Sequence, residues 1–182
     1  GNSGGPDLSL VGFRHGSAWL DLWLKDPQAW RPQTTMPNPH ITDNARAALV
    51  DYLANLKGEA FGGNPPWNTP ELKGKGLQRG LVIFSSTGCA SCHGKAGAGG
   101  YPNNNVRGSA IPALNTVSQT YTREELKRKI SSGAKPQKAN PSGPEPLISM
   151  PGWSSILKPD EIESLVDYLF SLKNPASKND NF

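Results

Sequence analysis

The sequence predicts a mainly helical protein whose few helices are joined by long loops. Thr122 to Glu125 has the pattern of a capping box, which begins a helix that is expected to end at Gly133. A second helix is expected from Pro159, because apolar residues then recur at helical spacing, at Ile162, Leu165, Val166, Leu169 and Phe170. The chain contains 20 glycines and 17 prolines, which favours loop-rich connections between the helices.

Charge is distributed unevenly along the chain, whose net charge is +4. Residues 1–57 carry five basic and five acidic side chains, whereas residues 73–138 carry eleven basic and two acidic ones. This excess is either an ordinary solvated surface or a docking face for an acidic partner. The basic residues are not interleaved with aromatic ones and no nucleic-acid motif occurs, so a nucleic-acid partner is not expected.

No apolar run approaches the roughly 18 residues that a membrane span requires, so no transmembrane segment is expected. The first ten residues are polar and Gly-rich and have no features of a secretion signal. We therefore expect a soluble or peripheral piece that is processed or truncated at its N-terminus.

Both cysteines of the chain lie in one motif, Cys89-Ala90-Ser91-Cys92-His93. This C-x-x-C-H pattern is the attachment signature of c-type haem. Two intervening residues let one turn of chain direct both sulfurs to one edge of the macrocycle, and the adjacent His93 can then ligate the iron. A zinc site would require further cysteine ligands, and a redox dithiol would require a strand–helix alternation that the sequence lacks.

A low-spin haem iron needs a second axial ligand, and beyond residue 70 the only methionine is Met150, which precedes Pro151. A methionine is often a core residue, but Met150 lies in a proline-rich loop pattern and is the expected ligand. Its thioether would raise the reduction potential. Pro112, 19 residues after His93, has a carbonyl that could accept the other ring N–H of the ligand histidine.

Residues 71–174 resemble the class I cytochromes c. An amphipathic pattern with Leu77, Gly80, Leu81, Ile83 and Phe84 leads into the motif, and a Gly-rich, non-helical loop from Gly94 to Gly100 follows it. The Pro112 carbonyl, the Met150-Pro151 loop and the C-terminal helix then match the family in order. The resemblance implies an all-α cytochrome c fold around one covalent haem c, on the outer face of the cytoplasmic membrane or in the periplasm.

An internal repeat relates the first 57 residues to this segment. The pentapeptide from Leu49 to Leu53 is identical to that from Leu165 to Leu169, and both methionines of the chain, Met36 and Met150, precede proline. We therefore interpret residues 1–57 as the later part of a second cytochrome c domain. Residues 58–70 are then a linker, 71–174 the complete domain and 175–182 a polar tail.

The first domain lacks its own C-x-x-C-H motif, which by the repeat spacing would lie before residue 1. A helix expected at residues 45–56 would therefore have an apolar stripe without its partner. An upstream segment, a partner subunit or a degenerate domain that packs without haem could account for this. If an upstream segment exists, Met36 is a possible axial ligand of a second haem, and His15 and His40 are less favoured substitutes for it. A helix is also expected from Ser17 to Lys25.

Electron transfer is the function that these features favour. Paired domains of this kind resemble dihaem cytochromes c that serve as subunits or partners of bc-type or oxidase complexes in respiratory chains. One alternative is a dihaem enzyme subunit, such as a peroxidase or a sulfur-compound dehydrogenase, and another is a structural subunit with a redox-silent haem. An enzyme would need an open sixth position, which Met150 closes, so an electron-transfer protein rather than an enzyme is expected.

Overall fold

The computed structural model describes residues 5–58 and 64–172, and its regular elements there are helical, without a strand. The helices are α1 (Val11–Arg14), α2 (Ser17–Lys25), α3 (Pro27–Trp30), α4 (Asp43–Ala54), α5 (Gly76–Ser86), α6 (Cys89–His93), α7 (Val117–Thr120), α8 (Arg123–Ser132) and α9 (Pro159–Ser171). The all-α prediction is confirmed. Within the described ranges, no helix is long and apolar enough to cross a membrane.

The ends of α8 and α9 follow from local sequence signals. The Thr122 backbone N–H donates to the Glu125 carboxylate, and the Thr122 hydroxyl accepts from the Glu125 backbone, which completes the predicted capping box. Gly133 ends α8 at a φ of 76°, and Pro159 occupies the first turn of α9. These predicted boundaries, and the helix predicted from Ser17 to Lys25, are confirmed.

The loop after α6 is more ordered than the sequence predicted. Lys95–Gly97 forms a 3-10 turn, closed by a hydrogen bond from the Gly97 N–H to the Gly94 carbonyl at 3.0 Å. Gly94 and Gly97 have positive φ angles of 78° and 69°, which glycine adopts without a steric penalty. The loop predicted to be non-helical therefore contains one hydrogen-bonded turn, whose central residue Ala96 has a φ of 52° and is not helical.

Helices α5 and α9 cross at close range and form the centre of the main core. A Cβ atom at Gly80 would overlap the carbonyl of Ser164 and approach the Cβ of Tyr168 to 2.8 Å, so only glycine permits this approach. Ile83 and Phe84 are buried at this crossing. The amphipathic helix predicted here is present, although its Leu77 and Leu81 are 43% and 44% exposed.

A buried carboxylate attaches the segment before α5 to the start of α9. Glu161 is 3% exposed and accepts hydrogen bonds from the Trp67 indole at 2.8 Å and the Asn68 amide at 3.0 Å. Its other oxygen accepts the backbone N–H of Lys158 at 2.8 Å, and Arg79 lies 3.6 Å away. Because this buried charge is fully engaged, it orients the helices without the large penalty of an unpaired ion.

Residues 5–57, termed the N-terminal segment, pack against the loops of the main core. Helices α2 and α4 form a second cluster around Trp19 and Leu20, which also contains Ile111 and Ile148 from beyond residue 70. Leu10 extends into the main core, and the ring of Phe13 contacts Trp153 edge-on at 5.0 Å. Trp19 is thus buried within this cluster, and Trp23 and Trp30, partly buried, pack against it.

The repeated pentapeptide is helical in both places but has different surroundings. In α9, Leu165 and Tyr168 are 2% and 7% exposed because they face α5. In α4, the equivalent Leu49 and Tyr52 are 37% and 63% exposed, and only Val50 and Leu53 are buried. The side of α4 that carries Leu49 and Tyr52 thus lacks a helical partner within the described residues, whereas the side with Val50 and Leu53 packs in the cluster with α2.

Candidate functional site

The motif from Cys89 to His93 forms the short helix α6, and this segment is termed the attachment segment. Gly88 and Gly94 bracket it with φ angles of 83° and 78°, which let the chain turn sharply on both sides. The two cysteines are free thiols and half-buried. Burial raises the pKa of Cys89 to about 11 and also raises that of Cys92, so both sulfurs are protonated at neutral pH.

The ring of His93 is oriented by the main chain. Its Nδ1 lies 3.1 Å from the carbonyl oxygen of Pro112, which can only accept a hydrogen bond. The proton is therefore on Nδ1, and the lone pair of Nε2 remains available to a metal. Burial lowers the pKa of His93, against the opposing effect of this hydrogen bond, so the ring is neutral at pH 7.

A cavity of about 880 Å³ opens beside the attachment segment. Its wall is mainly apolar and includes Phe84, Leu126, Ile130, Leu165 and Leu169. The residues singled out from sequence for this unit all line it, namely Cys89, Cys92, His93, Pro112 and Met150. Its volume lies within the range of about 300–1,000 Å³ typical of ligand pockets.

Met150 is held at the wall by its backbone. It pairs with Ala134 in an antiparallel bridge, with N···O distances of 3.0 and 2.9 Å. Gly133 approaches the Met150 carbonyl so closely that a Cβ there would overlap it. The end of α8 therefore determines where the methionine lies.

Two asparagines, which the sequence reasoning did not single out, hold the loop that leads to Met150. Asn103 donates to the carbonyl of Ile148 at 2.8 Å and accepts its N–H at 3.1 Å. Asn104 accepts the N–H of Leu147 at 2.6 Å and donates to the carbonyl of Glu145 at 2.8 Å. Three consecutive asparagines, Asn103 to Asn105, are the signal in the sequence that could have drawn attention to them.

These residues suit a large planar macrocycle with a central metal. Two thiols and an imidazole lie at the attachment segment, a thioether lies on the wall of the same cavity, and apolar side chains cover the rest. A thiol pair can form two thioether bonds, whereas imidazole and thioether are both known axial ligands of haem iron. The donor set therefore fits haem c.

The cytochrome c family model matches residues 77–173. The chain belongs to the cytochrome c family. Membership implies covalently bound haem c and electron transfer.

The comparison with curated proteins finds no match. Among solved structures, the Kuenenia stuttgartiensis reducing HAO-like protein complex Kustc0457/Kustc0458 aligns over 87% of this cytochrome chain and 72% of its own, at 18% identity. The TM-score of 0.37 is too low to compare the two architectures.

The other sequence-derived candidates lie outside the cavity. Met36 packs in the second cluster, where its sulfur accepts a hydrogen bond from the Trp23 indole at 3.1 Å. His40 is exposed and has a φ of 48°. His15 is 6% exposed and stacks on Trp19 with ring centroids 3.8 Å apart.

In the part of the chain that the structure describes, the buried side-chain nitrogens without a hydrogen-bond partner all belong to the N-terminal segment. They are Nδ1 of His15, the indole nitrogens of Trp19 and Trp30, and Nε of Arg31. Burial, assisted by the charges of Arg14 and Arg31, lowers the pKa of His15 from 6.5 to about 3. The ring is therefore neutral in the folded protein at physiological pH.

This depressed pKa predicts a loss of stability in mild acid. The unfolded chain binds the His15 proton at higher pH than the folded chain does, so the contribution is present above pH 6.5 and declines as the pH falls towards 3. His15→Phe keeps a stacked ring but cannot bind the proton. We expect this variant to reduce the dependence of the unfolding free energy on pH by up to about 1.4 kcal/mol per pH unit in this window. Denaturant unfolding at pH 7, 5.5 and 4 measures it, and parallel profiles for both proteins would contradict the prediction.

Proposed function

We propose that this cytochrome transfers single electrons through a haem attached to Cys89 and Cys92, with His93 and Met150 as the axial ligands of its iron. The observation that carries the proposal is the convergence of these four side chains on one apolar cavity. The haem, when bound, supplies a one-electron couple. Two protein ligands would close the coordination sphere, which favours electron exchange over substrate binding.

The chain contributes orientation of the ligands and a mainly apolar wall. The Pro112 carbonyl orients the imidazole of His93 through Nδ1, and the Ala134 bridge restrains Met150. Leu165 and Leu169, on the face of α9 turned to the core, form part of the cavity wall. Ligands held in this way by the main chain would move little between oxidation states, so little rearrangement would accompany each electron transfer.

Haem attachment tests the proposal directly. We expect the chain, expressed with a cytochrome c maturation system, to retain its haem after acidified-acetone extraction. The double variant Cys89→Ala, Cys92→Ala should release it, whereas Met36→Ala, outside the cavity, should retain it as the wild type does. Extraction of haem from the wild-type protein would overturn the proposal.

Carbon monoxide separates electron transfer from the enzymatic alternative. A ferrous haem with both axial positions occupied by His93 and Met150 should show an unchanged spectrum under carbon monoxide. Rapid binding would indicate an open position and favour an enzyme subunit.

We propose further that the N-terminal segment belongs to a second cytochrome c unit, with the limits 1–57, a linker 58–70, the complete unit 71–174 and a tail 175–182. Residues 1–4, 59–63 and 173–182 lie outside the described residues. The exposed Leu49 and Tyr52 support this proposal, because the same residues in α9 are covered by the helix that leads into the haem motif. A helix of that pattern would cover α4, and Met36 would be the axial candidate for its haem.

The haem content of the native protein distinguishes the possibilities. A pyridine haemochrome assay is expected to find two haems per polypeptide. One haem per polypeptide would make the N-terminal segment a degenerate unit that packs without a cofactor.

We propose an acidic redox partner from a membrane respiratory complex, such as a bc-type complex or an oxidase, in the periplasm or on the outer face of the cytoplasmic membrane. Arg107 and Lys135 are exposed and line the cavity together with the half-buried Lys129, so positive charge surrounds its opening. Such a field accelerates encounter with an acidic surface and weakens as salt screens it.

Charge reversal near the cavity is expected to slow electron exchange. Lys135→Glu should lower the second-order rate constant with an acidic redox protein several-fold at low ionic strength, and the effect should diminish in about 0.5 M salt. Lys57→Glu, away from the cavity lining, is the matched control. Stopped-flow kinetics measures both, and equal rates for the two variants would contradict this prediction.

A further inference from the structure

Two arginines of the N-terminal segment contact the attachment segment from outside its own unit. Nη1 of Arg14 donates to the hydroxyl of Ser91 at 2.8 Å and lies 3.4 Å from the carbonyl of Gly88. Nη2 of Arg31 donates to the carbonyl of Ser91 at 3.1 Å, and its guanidinium lies 3.8 Å from the ring centroid of Tyr101. Both arginines therefore hold Ser91, one of the two residues between the cysteines.

Their charges are not neutralised by neighbouring carboxylates. Within residues 5–58 and 64–172, neither Arg14 nor Arg31 forms an ion pair, and Asp7 influences Arg14 only at longer range. Three other arginines each pair with two carboxylates, namely Arg46, Arg79 and Arg123.

Both unpaired arginines are half-buried. Burial lowers the pKa of Arg14 and of Arg31, but a guanidinium is so basic that both remain charged. A half-buried positive charge without a counter-ion acts over a longer distance than a paired surface charge, because less solvent screens it.

Arg14 reaches the cavity itself. It lines the same space as Cys89, Cys92 and His93. Its approach depends on Gly88, where a Cβ atom would overlap the guanidinium. Gly88 has a φ of 83°, so the backbone and the close contact both require glycine at this position.

We propose that Arg14, and to a smaller extent Arg31, raises the reduction potential of the haem bound at the attachment segment. This inference rests on the proposed function, since it requires haem at Cys89 and Cys92. Reduction adds one negative charge to the site, and a nearby positive charge in a medium of low dielectric constant favours the reduced form. The N-terminal segment thereby sets the potential of a haem that another part of the chain binds.

Charge-removing and charge-conserving variants of Arg14 test the proposal in the full-length holoprotein. We expect Arg14→Gln to shift the one-electron equilibrium towards the oxidised form about three- to tenfold, which corresponds to a fall in midpoint potential of about 28–59 mV. Arg14→Lys should retain most of the wild-type potential. Arg46→Gln, a control arginine in the same segment that pairs with Asp21 and Asp43, should leave it unchanged.

Spectroelectrochemical titration measures these potentials, and haem content is measured on the same samples. Equal potentials for wild type and Arg14→Gln would overturn the inference, as would equal shifts in the Gln and Lys variants, because charge would then not be the cause. Absence of covalent haem in the wild type would instead overturn the proposed function. If Arg14→Gln does not accumulate, Arg31→Gln decides, with a smaller fall expected because Arg31 does not line the cavity.

Discussion

Replacement of Met150 by alanine is expected to remove the second axial ligand of the haem iron. The weak far-red sulfur-to-iron band should disappear, and the ferrous protein should bind carbon monoxide at the vacated position. The potential should fall by a sizeable part of the roughly 0.8 V that axial ligands span, because the thioether favours ferrous iron.

Met36→Ala is the matched control for this prediction, since Met36 is the other methionine of the 182-residue chain and does not line the cavity. Optical spectra and a redox titration of the two variants, prepared in parallel, test this prediction. An unchanged far-red band in Met150→Ala would remove Met150 from the iron, and its loss in Met36→Ala would exchange the roles of the two residues.

Introduction of a side chain at Gly80 is expected to have the largest effect on stability. In Gly80→Val, the new Cβ would overlap the Ser164 carbonyl and press on Tyr168, so α5 and α9 would have to separate. We expect a loss of about 3 kcal/mol or more in the free energy of unfolding. For a chain of this size, that corresponds to a fall in Tm of roughly 6 °C or more.

Gly5→Val is a suitable control, because a Cβ at Gly5 would meet no atom within 4 Å. Circular dichroism followed through thermal unfolding gives both values. Similar Tm values for the two variants would mean that the α5–α9 crossing tolerates separation and is not the centre of the fold.

Local signals were sufficient to predict the limits of α8 and α9 and the attachment segment. A capping box, a proline in the first turn and a glycine at the end act over three or four residues, and the structure has α8 and α9 where these signals predicted them. The haem motif is equally local, because the spacing of Cys89, Cys92 and His93 is a covalent property of the chain.

Contacts between distant residues could not be read in this way. The amide groups of Asn103 and Asn104 hold a loop more than forty residues away, and Arg14 reaches Ser91 across 77 positions. Nothing in the immediate sequence of either partner identifies the other. The sequence therefore indicates a repeat in the N-terminal segment but does not predict its contact with the attachment segment.

The repeated pentapeptide separates what the chain determines locally from what the tertiary structure decides. Its residues dictate a helix in both copies, since that depends on apolar spacing and neighbouring backbone hydrogen bonds. Burial depends instead on which helix lies opposite. Tyr168 is covered because Gly80 lets α5 approach, whereas the identical Tyr52 is exposed because no helix of the described chain packs there.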